Sequence, residues 1–279
     1  MNLLVIDIPT GRLGNAIFRY LASSVFSIIY KTDRIQFLDE NYQQVLKNNH
    51  SVMTDDFFIG WKELIEYGTE PNMGINKIYL FNGYFQHDNI YVKYKTELLK
   101  YIERNKEDLL ISEVAGVADV YFSKNLIEKP PNTRTYDVVV HLRLEDFVEL
   151  GQVIHPESIK SVLDTIRAPS YCFVVNKPKT DVELKYLEYF KKRFNVVVES
   201  NDVITDYHIM RNAKTLICSC STLSWAAALL SVTVEKVYMP NYQRTDRPHE
   251  TFRKPIENTV AYDYKVCSMA ELEEFLRIA

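Results

Sequence analysis

YCFVVNKPKTDVELKYLEYFKKRFNVVVE, residues 171–199, reads as strand, helix, strand. Tyr171–Val175 and Val196–Glu199 are short, mainly apolar runs of strand length, and Val182–Phe194 between them reads as a helix. The same alternation extends in both directions. Upstream lie a strand at Asp137–Leu142 and a helix at Pro156–Ile166. Downstream come a helix at Val203–Ala213, a strand at Thr215–Cys218, a helix at Thr222–Ser231 and a strand at Lys236–Met239. Strands alternating with helices imply a parallel sheet covered on both faces. Such sheets take ligands at the carboxyl ends of their strands.

The first half opens in the same way, with a buried strand at Leu3–Ile8, a turn at Pro9–Gly11 and a helix at Leu13–Tyr30 in which Ile17, Leu21, Val25 and Ile28 recur at helical spacing. Arg34–Leu38 and Lys77–Phe81 are further strand candidates, and Asn89–Arg104 a helix. Between residues 40 and 75 no period stands out. KPPNTRT at 129–135 joins two prolines to polar residues, which disfavours helix and marks a domain boundary. The expected division is an N-terminal α/β domain over 1–131 and a C-terminal α/β domain over 132–279. At 279 residues the chain is long enough for both to bury a core.

With 47% hydrophobic and 25% charged residues, the composition excludes disordered and collagen-like classes. A net charge of −4 with mixed signs offers no basic field, so no nucleic-acid partner is expected. Lys185, Lys191, Lys192 and Arg193 share a helical stretch with Glu183 and Glu188 and read as a solvated face. Cys172, Cys218, Cys220 and Cys267 lack paired CxxC spacing and read as reduced thiols rather than metal ligands. Leu216–Val234 carries no charge, but the hydroxyls of Ser219, Ser221, Thr222 and Ser224 crowd its middle and divide it into a buried strand and a buried helix, so no membrane insertion is expected. The N-terminus lacks a basic start and a long apolar run, so no signal peptide is read and a cytoplasmic location is expected.

Three segments carry chemistry. In GRLGN, residues 11–15, the glycines permit close backbone approach just before a helix N-terminus with free N–H groups, which suits a pyrophosphate; a plain glycine turn is the alternative. In HLRLED, residues 141–146, a strand ends at His141, and alternation places His141 and Arg143 on one face with Leu142 opposite. A guanidinium gives bidentate, permanently charged contacts to phosphate. The alternative is an ion pair from Arg143 to Asp146, with His141 ending the strand. In CSTLSW, residues 220–225, more hydroxyls gather at a helix start than one N-cap needs.

In this order and at these distances, the segments resemble the α-1,2-fucosyltransferases and, more distantly, the α-1,6- and protein O-fucosyltransferases. GRLGNAIFRY is similar to that family's GRLGNQMxxY, HLRLED to its HxRxxD, NAKTLICSCSTLSWAAALL to its stretch ending in NSTFSWWAAWL, and FNGYFQHDNIY to its GYFQ segment. The resemblance spans most of the chain. It implies a GT-B-like α/β fold of two Rossmann-like domains, a parallel sheet in each, with the site in the cleft between them. The N-terminal domain would face the acceptor, the C-terminal domain would bind the GDP-sugar, and the last helix would pack back on the N-terminal domain.

The activity implied is inverting transfer of L-fucose from GDP-β-L-fucose to a glycan hydroxyl, most simply the 2-OH of a galactoside. GDP-fucose would be a donor substrate; no cofactor and no metal are implied. By the motif match Arg143 holds the β-phosphate with His141 beside it. Gly11, Arg12, Leu13, Gly14 and Asn15 close over the diphosphate, and Ser221 and Thr222 complete the cradle. Asn176 stands where relatives carry an acid near the nucleoside. The family's HxRRGD has become HLRLED, which loses one arginine and gains Glu145, and Ala226 replaces the second Trp of SWW.

Departure of GDP builds charge on the β-phosphate, so a fixed cation there favours the transition state over the ground state. The acceptor hydroxyl must also lose a proton. Glu145, Asp146 and Glu149 are the candidate bases, and Asp146 can instead orient Arg143. Tyr84, Phe85 and Gln86 offer a stacking wall for an acceptor sugar, or simply core packing. Two other functions remain open: the same fold with another nucleotide sugar or linkage, and a non-catalytic nucleotide-sugar or glycan-binding module.

Overall fold

The computed structural model describes residues 3–6, 13–32, 35–38, 50–69, 73, 77–107, 118–241 and 254–279. The chain divides into two compact units between Lys129 and Pro130.

The N-terminal unit is built on a parallel four-stranded sheet. Its elements in chain order are β1 (Leu3–Ile6), α1 (Leu13–Tyr30), β2 (Ile35–Phe37), β3 (His50–Met53), α2 (Asp55–Glu66), β4 (Ile78–Phe81), α3 (Asp88–Lys93), α4 (Lys95–Glu107) and α5 (Ala118–Ile127). The strand order is β2-β1-β4-β3, with Val5 opposite Gln36 on one side and Leu80 on the other. Helix α1 buries Ile17, Leu21 and Val25 completely, as their spacing requires. An aromatic core of Phe26, Phe58, Tyr79, Phe81 and Phe85 fills the space beside it. The single helix expected over 89–104 is bent: at Tyr94 (φ −98°, ψ 15°) the backbone leaves α geometry, yet its N–H still reaches the Ile90 carbonyl and its own carbonyl accepts from Leu98.

The C-terminal unit contains β5 (Val138–Leu142), α6 (Glu145–Glu149), β6 (Val153–Ile154), α7 (Pro156–Leu163), β7 (Tyr171–Val175), α8 (Asp181–Lys191), β8 (Val196–Glu199), α9 (Val203–Arg211), β9 (Thr215–Ile217), α10 (Thr222–Leu229), β10 (Lys236–Pro240), β11 (Thr259–Tyr262), β12 (Val266–Cys267) and α11 (Met269–Ile278). Six strands form one parallel sheet in the order β11-β10-β9-β5-β7-β8, and β12 pairs antiparallel with β6. Every residue of β5 and β7 is buried, because helices cover both faces of a parallel sheet. The uncharged run at 216–234 divides into β9 and α10, and among the described residues no helix is long and apolar enough to cross a membrane. The last helix, α11, packs on α8 of its own unit: Phe275 meets Tyr189, ring centroids 5.3 Å apart.

Both sheets place later strands on either side of an inner strand. From β5 the chain adds β7 and β8 on one side, then returns to add β9, β10 and β11 on the other. From β1 it adds β2 on one side and β4 on the other, with β3 beyond β4. The order therefore reverses between β5 and β9, and between β1 and β4. Those are the places where the carboxyl ends of adjacent strands open a crevice.

Candidate functional site

Each reversal point carries two of the segments singled out in the sequence. In the C-terminal unit HLRLED begins within β5 and CSTLSW follows β9. In the N-terminal unit the described part of GRLGN, Leu13–Asn15, opens α1 after β1, and FNGYFQ begins at the last residue of β4.

His141 is the fourth residue of β5, and its side chain is buried. Its Nδ1 lies 2.8 Å from the Ser219 hydroxyl, just past β9, and this contact joins the two sides of the crevice. Burial, aided by the neighbouring Arg143 cation, lowers the imidazole to about 3. His141 is therefore neutral at physiological pH, a hydrogen-bonding group and not a second positive charge.

Arg143 lies one residue beyond β5. Its guanidinium stacks over Phe147, 4.3 Å from the ring centroid, and pairs with Asp146 through Nη2 at 3.0 Å and Nε at 3.4 Å. About a fifth of the side chain remains exposed (21%), so it is held in place without being sealed off. Leu142 and Leu144, on either side, belong to the apolar core. Beneath the guanidinium is a cavity of about 10 Å³ between Leu142, Tyr186, Ser219 and Cys220, space for one water. A diphosphate would have to lie over this point, not within it.

The hydroxyls across the crevice already have structural duties. Ser221 is the N-cap of α10 and accepts from the Leu223 N–H at 3.3 Å, Ser224 donates to the Ser221 carbonyl at 3.2 Å, and Ser219 is engaged with His141. Thr222 opens the helix and is half-buried. Burial raises the Cys218 and Cys220 thiols to about 12, which makes them poor nucleophiles.

The three candidate bases differ in setting. Asp146 is tied to Arg143, the ion pair that the sequence offered both as an alternative to phosphate binding and as a contact orienting the guanidinium. Glu145 pairs with Lys179 at 2.7 Å and accepts from the Asn176 amide at 2.5 Å. Glu149 is exposed at the far end of α6. Glu145 also has a left-handed backbone, φ +35°, where a side chain costs on the order of 1–3 kcal/mol. Its N–H is accepted at 2.8 Å by Glu183. Sequence reasoning placed Glu183 on a solvated helix face; it is in fact buried, and its carboxylate also caps α8 by accepting from the N–H groups of Lys179 and Thr180. The capping-box spacing of Thr180 and Glu183 was the signal available for it.

In the N-terminal unit Gly11 and Arg12 lie outside the described residues. Leu13 and Gly14 begin α1, and the Asn15 side chain accepts from the Gln86 amide at 3.3 Å. The segment after β4 is pinned from two sides. Asp55 accepts from the Tyr84 N–H at 3.0 Å and the Phe85 N–H at 2.6 Å, and Arg19 donates to the Gly83 carbonyl at 2.7 Å. A Cβ at Gly83 would lie 2.9 Å from the Asp55 carboxylate, so a side chain here would have to displace the group that holds the Tyr84 and Phe85 N–H groups. Phe85, expected as part of a stacking wall, is fully buried against Phe58 and Phe81 and is core, because its left-handed backbone (φ +51°) turns the ring inward. Tyr84 remains exposed, and Gln86 is buried beside Asn15.

Among the described residues no group of three or more His, Cys, Asp or Glu side chains is placed to hold a metal ion.

No protein-family model and no curated protein matches the chain. Among solved structures it is similar to POFUT1 in complex with GDP, at 12% identity and a TM-score of 0.44 over 85% of this chain and 98% of that one. It is similar to the fucosyltransferase NodZ from Bradyrhizobium, at 13% identity and a TM-score of 0.43 over 82% and 92%. It is also similar to the E. coli heptosyltransferase WaaC with ADP, at 11% identity and a TM-score of 0.45 over 100% and 99%. Likeness at this level carries no argument about activity, which must come from the residues themselves.

Proposed function

We propose that the protein is an inverting glycosyltransferase that moves L-fucose from GDP-β-L-fucose to the 2-hydroxyl of a galactoside, its C-terminal unit holding the donor. The observation that carries this reading is the position of Arg143: a partly exposed side chain, stacked on Phe147 and ion-paired to Asp146, at the point where the strand order reverses and lining one small cavity with Ser219 and Cys220. A permanent cation there suits a diphosphate.

In the reaction the bond from the fucosyl anomeric carbon to the β-phosphate oxygen breaks, and the electron pair leaves with GDP. The acceptor oxygen bonds to the opposite face of that carbon and gives up its proton to a base, for which Glu145, Asp146 and Glu149 are the candidates. Arg143 stabilises the charge that builds on the leaving phosphate, a role in which loss of one such contact typically costs about 10²–10³ in rate. Neutral His141 holds Ser219 at the rim of the same crevice. In the N-terminal unit, Gly14 and Asn15 at the start of α1 are the candidates for contact with the donor, and exposed Tyr84 the candidate for contact with the acceptor.

Asn176, which donates to Glu145 where relatives carry an acid, favours a second reading with a different nucleotide sugar. A donor panel tests both. With galactosides present, GDP release is expected from GDP-fucose, and the product should be α-1,2-linked by NMR. Turnover of another nucleotide sugar in its place would establish the second reading. Nucleotide binding without turnover of any donor would leave a non-catalytic binding module.

A further inference from the structure

We propose that Glu183 is a positioning residue for Arg143, its buried carboxylate fixing the turn that presents the guanidinium at the end of β5. The functional part of this inference rests on the reading of Arg143 as the diphosphate grip.

Glu183 lies in the first turn of α8 and is 3% exposed. One of its oxygens serves its own helix, accepting from the Lys179 N–H at 2.6 Å, the Thr180 N–H at 2.8 Å and the Thr180 hydroxyl at 3.1 Å. Those contacts complete a capping box and leave the other oxygen unnecessary to it. That second oxygen accepts the N–H of Glu145, 38 residues away at the start of α6, just after β5. Glu145 is the residue with φ +35°, a conformation that persists only where its surroundings enforce it. Leu144 before it is also irregular (φ −96°, ψ −108°), and Arg143 precedes Leu144.

A second strap reinforces the first. The Glu145 side chain reaches Asn176 and Lys179, in the loop that leads to Glu183. The loops after β5 and β7 therefore hold one another, and the buried carboxylate is their junction. If that acceptor is lost, the Glu145 backbone is free to relax into an ordinary conformation. The chain direction two residues earlier changes with it, and with that the point at which Arg143 meets a phosphate.

The test compares wild type, Glu183→Gln and Thr180→Ala, with circular dichroism as a check on folding. Glu183→Gln keeps the size but has one acceptor oxygen where the carboxylate uses two, so the oxygen that stays with the three donors of the helix cap leaves an NH2 group facing the Glu145 N–H. Thr180→Ala, by contrast, weakens the same helix cap and spares the contact to Glu145. Two quantities are read: the ratio of GDP to GMP affinity, which isolates the β-phosphate, and hydrogen exchange of the Glu145 amide. Glu183→Gln should lower the ratio about fivefold or more and speed the exchange, while Thr180→Ala leaves both close to wild type. Unchanged values in Glu183→Gln, or the same loss in Thr180→Ala, would overturn the proposal. Wild type that does not prefer GDP to GMP would overturn the diphosphate reading and the functional half of this proposal with it; exchange at Glu145 separately decides whether Glu183 holds the turn.

Discussion

Arg143 and His141 are neighbours in sequence with opposite electrostatic characters, and burial explains the contrast. The guanidinium keeps its charge at the surface of the crevice against Asp146 and Phe147, while the imidazole, buried beside Ser219 and next to that cation, is held neutral. This has a defined consequence for stability. A histidine lowered from 6.5 to about 3 in the folded state takes a proton more readily when unfolded, so its contribution is complete above pH 6.5 and falls as the pH drops towards 3. At one proton per unit, the loss by pH 5 amounts to about 2 kcal/mol. Urea denaturation of wild type and His141→Gln at pH 7 and pH 5 should show the wild-type advantage shrinking by about that much; an advantage independent of pH would mean that His141 is not buried as a neutral group. The raised carboxyls of Asp119 and Asp206 titrate in the same range with the opposite sign, but they are common to both proteins and cancel in the comparison.

At the level of elements, one buried carboxylate organises the N-terminal unit. Asp119 on α5 accepts from Tyr20 on α1 at 3.0 Å, from the N–H of Ile35 on β2 at 2.8 Å and from Tyr101 on α4 at 3.3 Å. Burial raises its carboxyl to about 6 despite these donors. Asp119→Ala strands three donors at once and should destabilise the protein by about 2–4 kcal/mol in chemical denaturation; a change below about 1 kcal/mol would show that the donors find other partners. The same residue explains why α5 was not legible in the sequence. Its buried face runs through Ala118, Asp119, Phe122, Ser123 and Leu126, and the two polar members break the apolar period. Helix α2 was obscured for the converse reason: Phe57 and Leu64 are exposed, so apolar residues surround the helix and no stripe stands out. Apart from α6 and β6, both too short to show a period, the strands and helices of the C-terminal unit were legible over 137–240 because fully buried runs such as VVVHL and YCFVV alternate with helices closed by capping signals. What the sequence could not display was the tertiary partner: the inward turn of Phe85, and Glu183 reaching across to Glu145.

For the molecule as a whole, two parallel sheets each reverse their strand order at the point where two distinctive segments meet. Glycine, arginine and hydroxyl residues stand where the topology opens crevices, and this agreement between local chemistry and fold supports a nucleotide-sugar site more than any single motif does. With a net charge of −4 the protein has no general attraction for anions, so the proposed nucleotide would have to be held by local contacts, above all by Arg143. The most direct test is calorimetric titration of the full chain with GDP, and with UDP and CDP as controls, in EDTA, for wild type and Arg143→Ala. The account predicts selective GDP binding without added metal, weakened about tenfold or more by Arg143→Ala. Equal binding of UDP and GDP, or an unchanged affinity in Arg143→Ala, would contradict it.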